Sequence, residues 1–193
     1  MKIIGIGGTN GSGKGVIAQF LVDTYGFYYA SATEMFNFEL KKRGLPTDRK
    51  HKSELSAEWR RQYGMSAIVD RGYEHYAANP DKYKGLVVES LRHPGEADRI
   101  HELGGTVVWA DADPKVRYER IQKNAAARGR AVEDDKTYQE FLDDEKREMT
   151  PEGDGATLNM SAVKERADVT VFNNGSDLVE FEQKIEKALD LTA

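Results

Sequence analysis

The residues best suited to chemistry stand in the first twenty positions. Gly8, Gly13 and Lys14 satisfy the spacing Gly-x-x-x-x-Gly-Lys, with Gly11 adding freedom between them. Glycines so placed let successive backbone N–H groups converge on phosphate oxygens, in conformations that a Cβ obstructs. A helix opening at Gly13 adds the positive end of its dipole, and Lys14 supplies a mobile cation for the β- and γ-phosphates. The pattern points to a nucleoside triphosphate. The residue after the lysine is ordinarily Ser or Thr, whose hydroxyl reaches Mg²⁺. Here Gly15 and Val16 leave both candidate positions without a hydroxyl, so water, phosphate and a carboxylate have to hold the metal.

Further residues could act on a second ligand. Phosphoryl transfer is mainly positioning and charge neutralisation, so it calls for fixed cations around mobile phosphates. Arg60, Arg71 and Arg92 follow the second and third strands, on the side where an acceptor would dock, and their planar forks suit a phosphate. Glu89 ends a strand, where its carboxylate could orient Mg²⁺ through water; Glu34 is the alternative acid. Arg120, Arg128 and Arg130 surround a polar link that reads as a mobile lid bringing cations to the transferring phosphoryl. The four histidines show no ligand spacing, and the two tryptophans read as packing.

These residues need a scaffold, and the hydrophobic periodicity supplies one. Ile3, Ile4 and Ile6 read as a buried strand, and Val16, Ile17, Phe20 and Leu21 as the apolar face of a helix over 13–25. A strand over 27–31 follows, then a helix capped by Thr33 and ending at Gly44. Residues 47–53 read as loop, and 54–78 as a helical stretch broken near Gly64 and Gly72. Strands at 85–89, 106–110 and 168–172 alternate with helices at 94–103 and from Pro114 toward Ala127, with a polar helix at 137–149 and a closing helix at 177–191. This alternation predicts an α/β fold, a five-stranded parallel sheet covered by helices on both faces. Ligands of such sheets sit beyond the C-terminal strand ends, where Gly8, Ser31, Glu89, Asp111 and Asn173 fall.

At 193 residues with 39% hydrophobic content, the chain suits one domain with small insertions. It has no apolar run long enough to span a membrane, and its first strand starts too early for a signal peptide. The absence of cysteine excludes disulfides and thiolate metal sites and suits the cytoplasm. A net charge of −5 argues against a general nucleic-acid binder. A monomer or a homodimer is expected.

Taken together, these motifs resemble the P-loop nucleotide kinases: adenylate kinase-like nucleoside monophosphate kinases, dephospho-CoA kinases and an archaeal kinase-like family between them. Ser31-Ala-Thr-Glu-Met-Phe-Asn37 is similar to the adenylate kinase segment Ser-Thr-Gly-Asp-Met-Leu-Arg. Val87-Val-Glu-Ser-Leu-Arg92 is similar to the strand that ends Asp-Gly-apolar-Pro-Arg. Asp113-Pro-x-x-Arg-x-x-Arg120 is similar to the start of the lid helix, and Asn173-Asn174-Gly175 to the adenine-side loop of dephospho-CoA kinases. The resemblance implies a donor site for ATP at Gly8, Asn10, Gly11, Ser12, Gly13, Lys14, Gly15, Val16, Arg120 and Asn174. It also implies an acceptor site in region 31–80 with Thr33, Glu34, Arg60, Arg71, Glu89 and Arg92, and a lid in 120–150 where Arg120 and Arg130 meet the transferring phosphoryl. Mg²⁺ is the implied metal and small nucleotides are the implied partners. Asn37 stands where the monophosphate kinases carry an acceptor-binding arginine, and Ser31-Ala32-Thr33 where dephospho-CoA kinases carry Asp-Ala-Asp. A hydroxyl acceptor needs a general base and a phosphate acceptor does not, which favours a nucleoside monophosphate. Dephospho-CoA is the alternative acceptor, and a nucleotide-binding regulator with little turnover is the rival of another class.

Overall fold

The computed structural model describes residues 2–79, 81–125, 135–150 and 153–191. Five strands, β1 (Lys2–Gly8), β2 (Phe27–Ser31), β3 (Gly85–Leu91), β4 (Thr106–Asp111) and β5 (Val169–Phe172), form one sheet in the order β2-β3-β1-β4-β5. Every pairing is parallel, as the alternation of elements predicts. Because side chains alternate across a strand, each strand feeds both faces. Val87 packs with Ile4, Ile6, Ile17, Leu21 and Ile185 on the face covered by α1 (Lys14–Tyr25) and by a C-terminal helix at Leu178–Ala188. Leu86 and Val88 pack on the other face with Val69, Ile100, Trp109 and Val163. Truncating one such core residue, for example Ile100→Ala, costs about 2–5 kcal/mol.

That second face is covered by α4 (Ala67–Ala77), α5 (Pro94–Glu102) and a short helix at Met160–Glu165. A third cluster lies beyond the end of the sheet. There α2 (Ala32–Lys42) and α3 (Arg49–Tyr63) bury Phe36, Leu40, Leu55 and Trp59 against Ile68 of α4. The remaining helices are α6 (Pro114–Lys123), α7 (Tyr138–Met149), α8 (the Met160–Glu165 helix) and α9 (the Leu178–Ala188 helix). None is long and apolar enough to cross a membrane among the described residues.

Local details depart from the sequence reading. Residues 49–53 are helical, because Asp48 caps α3 by accepting from the His51 N–H at 2.9 Å. Ser31, not Thr33, caps α2. Gly72 does not break its helix; it lies inside α4 because a Cβ there would come within 2.7 Å of the Ala30 Cβ. β3 continues two residues past Glu89, and α8 carries no sequence signal that was read. Val16 is 37% exposed and faces away from the core that Ile17, Phe20 and Leu21 enter.

Candidate phosphate-binding loop and cationic cleft

The turn from β1 into α1 needs its glycines. Gly8 has φ +144°, and a Cβ on it would lie 2.4 Å from the Ala110 carbonyl oxygen. Gly13 has φ +102°, and a Cβ on it would lie 2.4 Å from Asn173 Nδ2. Side chains are excluded from both places, which leaves the backbone to line the turn. Lys14 Nζ donates to the Thr9 carbonyl at 2.8 Å, folded back along the loop it would serve. Ser12 is fully buried and its hydroxyl donates to the same carbonyl at 2.8 Å, so its side chain shapes the loop from within. A Cβ added to Gly15 would meet nothing within 4 Å. With Val16 also exposed, the side of α1 that lacks hydroxyls is open space.

Arg120 and Asn174 lie together at the far side of this loop. Arg120 donates to the carbonyls of Asn173 (2.7 Å) and Gly175 (2.5 Å), and burial pulls its guanidinium down from its ordinary value. Asn173 in turn donates to the Ser12 carbonyl at 3.2 Å, and Asn174 accepts from the Asp113 N–H at 2.8 Å. Arg120 thus ties α6 to the loop after β5, and Asn173 ties that loop to the phosphate loop. The lid arginines Arg128 and Arg130 lie outside the described residues.

On the opposite side, a cleft of about 780 Å³ opens between α2, α3, the end of β3 and α7, and Asn10 of the phosphate loop forms part of its wall. Seven of its eighteen lining residues are Lys or Arg, and two are acidic. Arg49, Lys50, Lys52, Arg92, Lys136 and Arg147 supply the cations that the cleft can present. Ala32, Phe36 and Ile68 form an apolar stretch of wall, and Thr33 also lines the cleft. Arg92 Nη1 donates to Glu148 Oε1 at 2.8 Å, and Arg49 Nη2 donates to that same oxygen. Burial alone would push the Glu148 carboxyl up, but the Arg92 and Arg49 charges outweigh it and hold it at about 2. The Glu148 charge in turn holds the Arg92 guanidinium above its ordinary value.

Of the expected acceptor residues, Arg71 and Glu34 lie outside the cleft lining, while Arg60 is part of it and is already paired within the protein. Arg60 is 1% exposed and fully engaged: Nε and Nη2 donate to Glu96 Oε1 at 3.0 and 2.7 Å, and Nη1 to Ser56 Oγ and the Ala156 carbonyl. It is a buried, internally paired cation in the cleft wall. Arg71 stacks over Trp59 and Tyr63, 4.1 and 4.8 Å from their ring centroids, and is absent from the cleft lining. Glu34 is solvent-exposed and likewise outside it. Glu89 lies two residues before the end of β3 and is also absent from the cleft lining; it accepts from Tyr29 Oη and Ser90 Oγ, both at 2.9 Å. Burial and the Glu89 charge push the Tyr29 phenol far up, so it stays a donor. No group of three or more His, Asp or Glu that could hold a metal occurs among the described residues.

Sequence reasoning missed Arg49, Glu148 and Arg117. Arg49 was hidden by reading 47–53 as loop, yet Arg49, Lys50 and Lys52 open a helix whose first turn has no acid. Cations there oppose the helix dipole, a placement that makes sense when an anion is nearby. Arg117 is buried under the phosphate loop, donating to the Ala112 carbonyl (2.8 Å), the Asn10 carbonyl (3.3 Å) and Glu145 of α7. It was passed over because nothing local separates it from Arg120.

Residues 4–148 match the family described as an AAA domain. The chain is 32% identical over 192 residues to UPF0200 protein PH1008 of Pyrococcus horikoshii, covering 97% of this chain and 95% of the relative. It is 30% identical over 188 residues to UPF0200 protein PYRAB09750 of Pyrococcus abyssi, covering 95% and 93%. Among solved structures, TT1252 from Thermus thermophilus matches with a TM-score of 0.58 at 19% identity, over 100% of this chain and 98% of that one. A shikimate kinase from Bacteroides thetaiotaomicron matches at 0.57 with 11% identity over 98% and 99%. A gluconokinase from Sinorhizobium meliloti matches at 0.56 with 16% identity over 98% and 91%. At such identities the likeness speaks for the fold, which is that of the P-loop kinases.

Proposed function

We propose, from the premise that this chain belongs to the AAA domain family and to the UPF0200 proteins, that it is an ATP-dependent phosphotransferase whose acceptor is a nucleotide-like anion, most simply a nucleoside monophosphate. The observation that carries this reading is the cationic cleft: it shares Asn10 with the phosphate loop and concentrates Lys and Arg in a protein of net charge −5. A donor phosphate chain on the loop and an anionic acceptor in the cleft would meet at that shared wall.

The roles follow from charge and position. Lys14 exchanges the Thr9 carbonyl for donor phosphate oxygens, and the loop N–H groups take the rest. Arg120 and Asn174 flank the donor on its base side, while Arg92 and Arg49 take the acceptor's phosphate in paired hydrogen bonds. Ala32, Phe36 and Ile68 offer an apolar surface to a base. Fixed cations then neutralise the charge that three phosphate groups bring together, and a phosphate acceptor is already ionised, so no base is required. Arg130 would join them from the lid. The donor set fits Mg²⁺ only as an ion carried mainly by phosphate oxygens and water, with the Glu89 carboxylate beyond that water. When bound, the ion would neutralise donor charge and hold the transferring group in line.

A second reading rests on Glu89. The Tyr29 and Ser90 hydroxyls both donate to it, and a carboxylate near the C-terminal end of the sheet could take the proton of a hydroxyl acceptor such as dephospho-CoA. The test is ADP formation from Mg·ATP with a panel of nucleoside monophosphates and dephospho-CoA. Turnover with a monophosphate, reduced at least about 100-fold by Lys14→Ala, is the expected result. Turnover with dephospho-CoA alone would favour the Glu89 reading. ATP binding with no product from any acceptor would sink both and leave a regulatory nucleotide-binding protein.

A further inference from the structure

We propose that Glu148 is the specificity-determining residue of the cleft: an internal anion that occupies Arg49 and Arg92 and gives them up only to an acceptor carrying a dianionic phosphate. The inference rests on the reading of the cleft as an acceptor site.

Two guanidinium groups from distant elements, Arg49 in the first turn of α3 and Arg92 just past β3, converge on the single oxygen Oε1 of Glu148. The Glu148 side chain is 10% exposed and forms part of the cleft wall. Such convergence is poor use of two planar forks. A carboxylate can satisfy one fork in bidentate fashion, whereas a phosphate monoester with three terminal oxygens can satisfy both. A dianion entering the cleft also brings more negative charge to the two guanidinium groups than the single carboxylate it displaces. A neutral acceptor gains nothing, because displacing Glu148 would leave buried charges unpaired.

α7 has anchors besides Glu148. Glu145 of the same helix pairs with the buried Arg117, and Phe141 packs 5.8 Å from the Tyr118 ring. Asp144, the other acid in the wall, pairs with Lys136 and Arg147 as well as with Arg49 and is more exposed, at 20%. Among the described residues, Glu148 alone accepts from both Arg49 and Arg92.

The test is calorimetric titration of inorganic phosphate, AMP and adenosine, without ATP, into the wild type, Glu148→Gln and Glu148→Asp. Glu148→Gln should bind phosphate and AMP about tenfold tighter, the equivalent of about 1.4 kcal/mol. Adenosine affinity should stay unchanged, and Glu148→Asp should fall between the two proteins. In turnover, KM for the acceptor should drop without a rise in kcat. Equal or weaker phosphate binding by a Glu148→Gln protein that melts cooperatively would overturn the inference, as would an equal gain for adenosine. If Glu148→Gln does not fold, unchanged phosphate binding by Glu148→Asp decides against it. Because ATP is absent, tighter phosphate binding beside a silent kinase panel would keep this inference and remove the proposed reaction. The converse would keep the reaction alone.

Discussion

Glu96 connects three tasks through one carboxylate. Its Oε2 accepts from the N–H groups of Arg92 (2.7 Å) and His93 (3.2 Å), closing the cap of α5, while Oε1 accepts two bonds from the buried Arg60. The backbone that projects Arg92 into the cleft is therefore fixed by the same group that neutralises Arg60. Removing one partner of a buried ion pair leaves an uncompensated charge, so Glu96→Gln should destabilise the protein by about 3–5 kcal/mol in urea unfolding at neutral pH. Adding Arg60→Met should recover much of that loss. An equal loss in the double variant would show that the cap, not the ion pair, carries the stability. At this scale the sequence was informative about the glycines of the loop, Gly8 and Gly13, but silent about how Arg60 is held. An arginine's type says nothing about whether a carboxylate 36 residues away already holds it.

At the scale of elements, the end of β3 is the most consequential irregularity. The register with β1 slips between Ile6 and Gly7, whose partners are Glu89 and Leu91, so Ser90 is an extra residue with φ +73°. Left-handed geometry at a non-glycine residue costs about 1–3 kcal/mol and is held by the surrounding structure. Here it brings Ser90 Oγ back onto Glu89 at 2.9 Å and places Ser90 in the cleft wall. Ser90→Gly should therefore raise stability by about 1 kcal/mol while lowering phosphoryl transfer, since glycine tolerates the bend but cannot donate to Glu89. Thermal unfolding and turnover of the same preparation check this; a less stable variant would contradict the strain. Val87-Val-Glu-Ser-Leu-Arg92 reads as a strand and its exit, but nothing in that string announces the bulge. The start of α3 was equally hidden, because the Asp48 cap was read as part of a polar loop.

For the whole molecule, α7 closes a long circuit of charge across the cleft, and acid should open it. Glu148 titrates at about 2 in the fold against an ordinary 4.5, so its stabilisation is complete above the ordinary value and is lost as pH falls toward 2. The difference corresponds to about 3 kcal/mol. His93 adds a milder loss at higher pH. Burial pulls its imidazole below the ordinary 6.5, it donates to the Gly155 carbonyl at 2.7 Å, and an unfolded chain takes up the proton more readily. Stability should therefore decline gently below about pH 6.5 and more steeply below about 4.5. Urea midpoints across that range should show the steep part flattened in Glu148→Gln; a parallel curve would mean that other carboxylates govern it.

The phosphate loop, the five-stranded parallel sheet and the helices over it were legible in the sequence because their causes are local. Glycine sterics act over a few residues, and hydrophobic periods of two or 3.6 mark strands and helices before anything has packed. Which arginines open onto the cleft was decided only by tertiary structure. Arg60 and Arg49 belong to the same helix and line the same cleft, but one is held by Glu96, 36 residues away, and the other by Glu148, 99 residues away. Charge pairing depends on what the rest of the chain brings within a few ångströms and how much water it removes, and no local pattern encodes either.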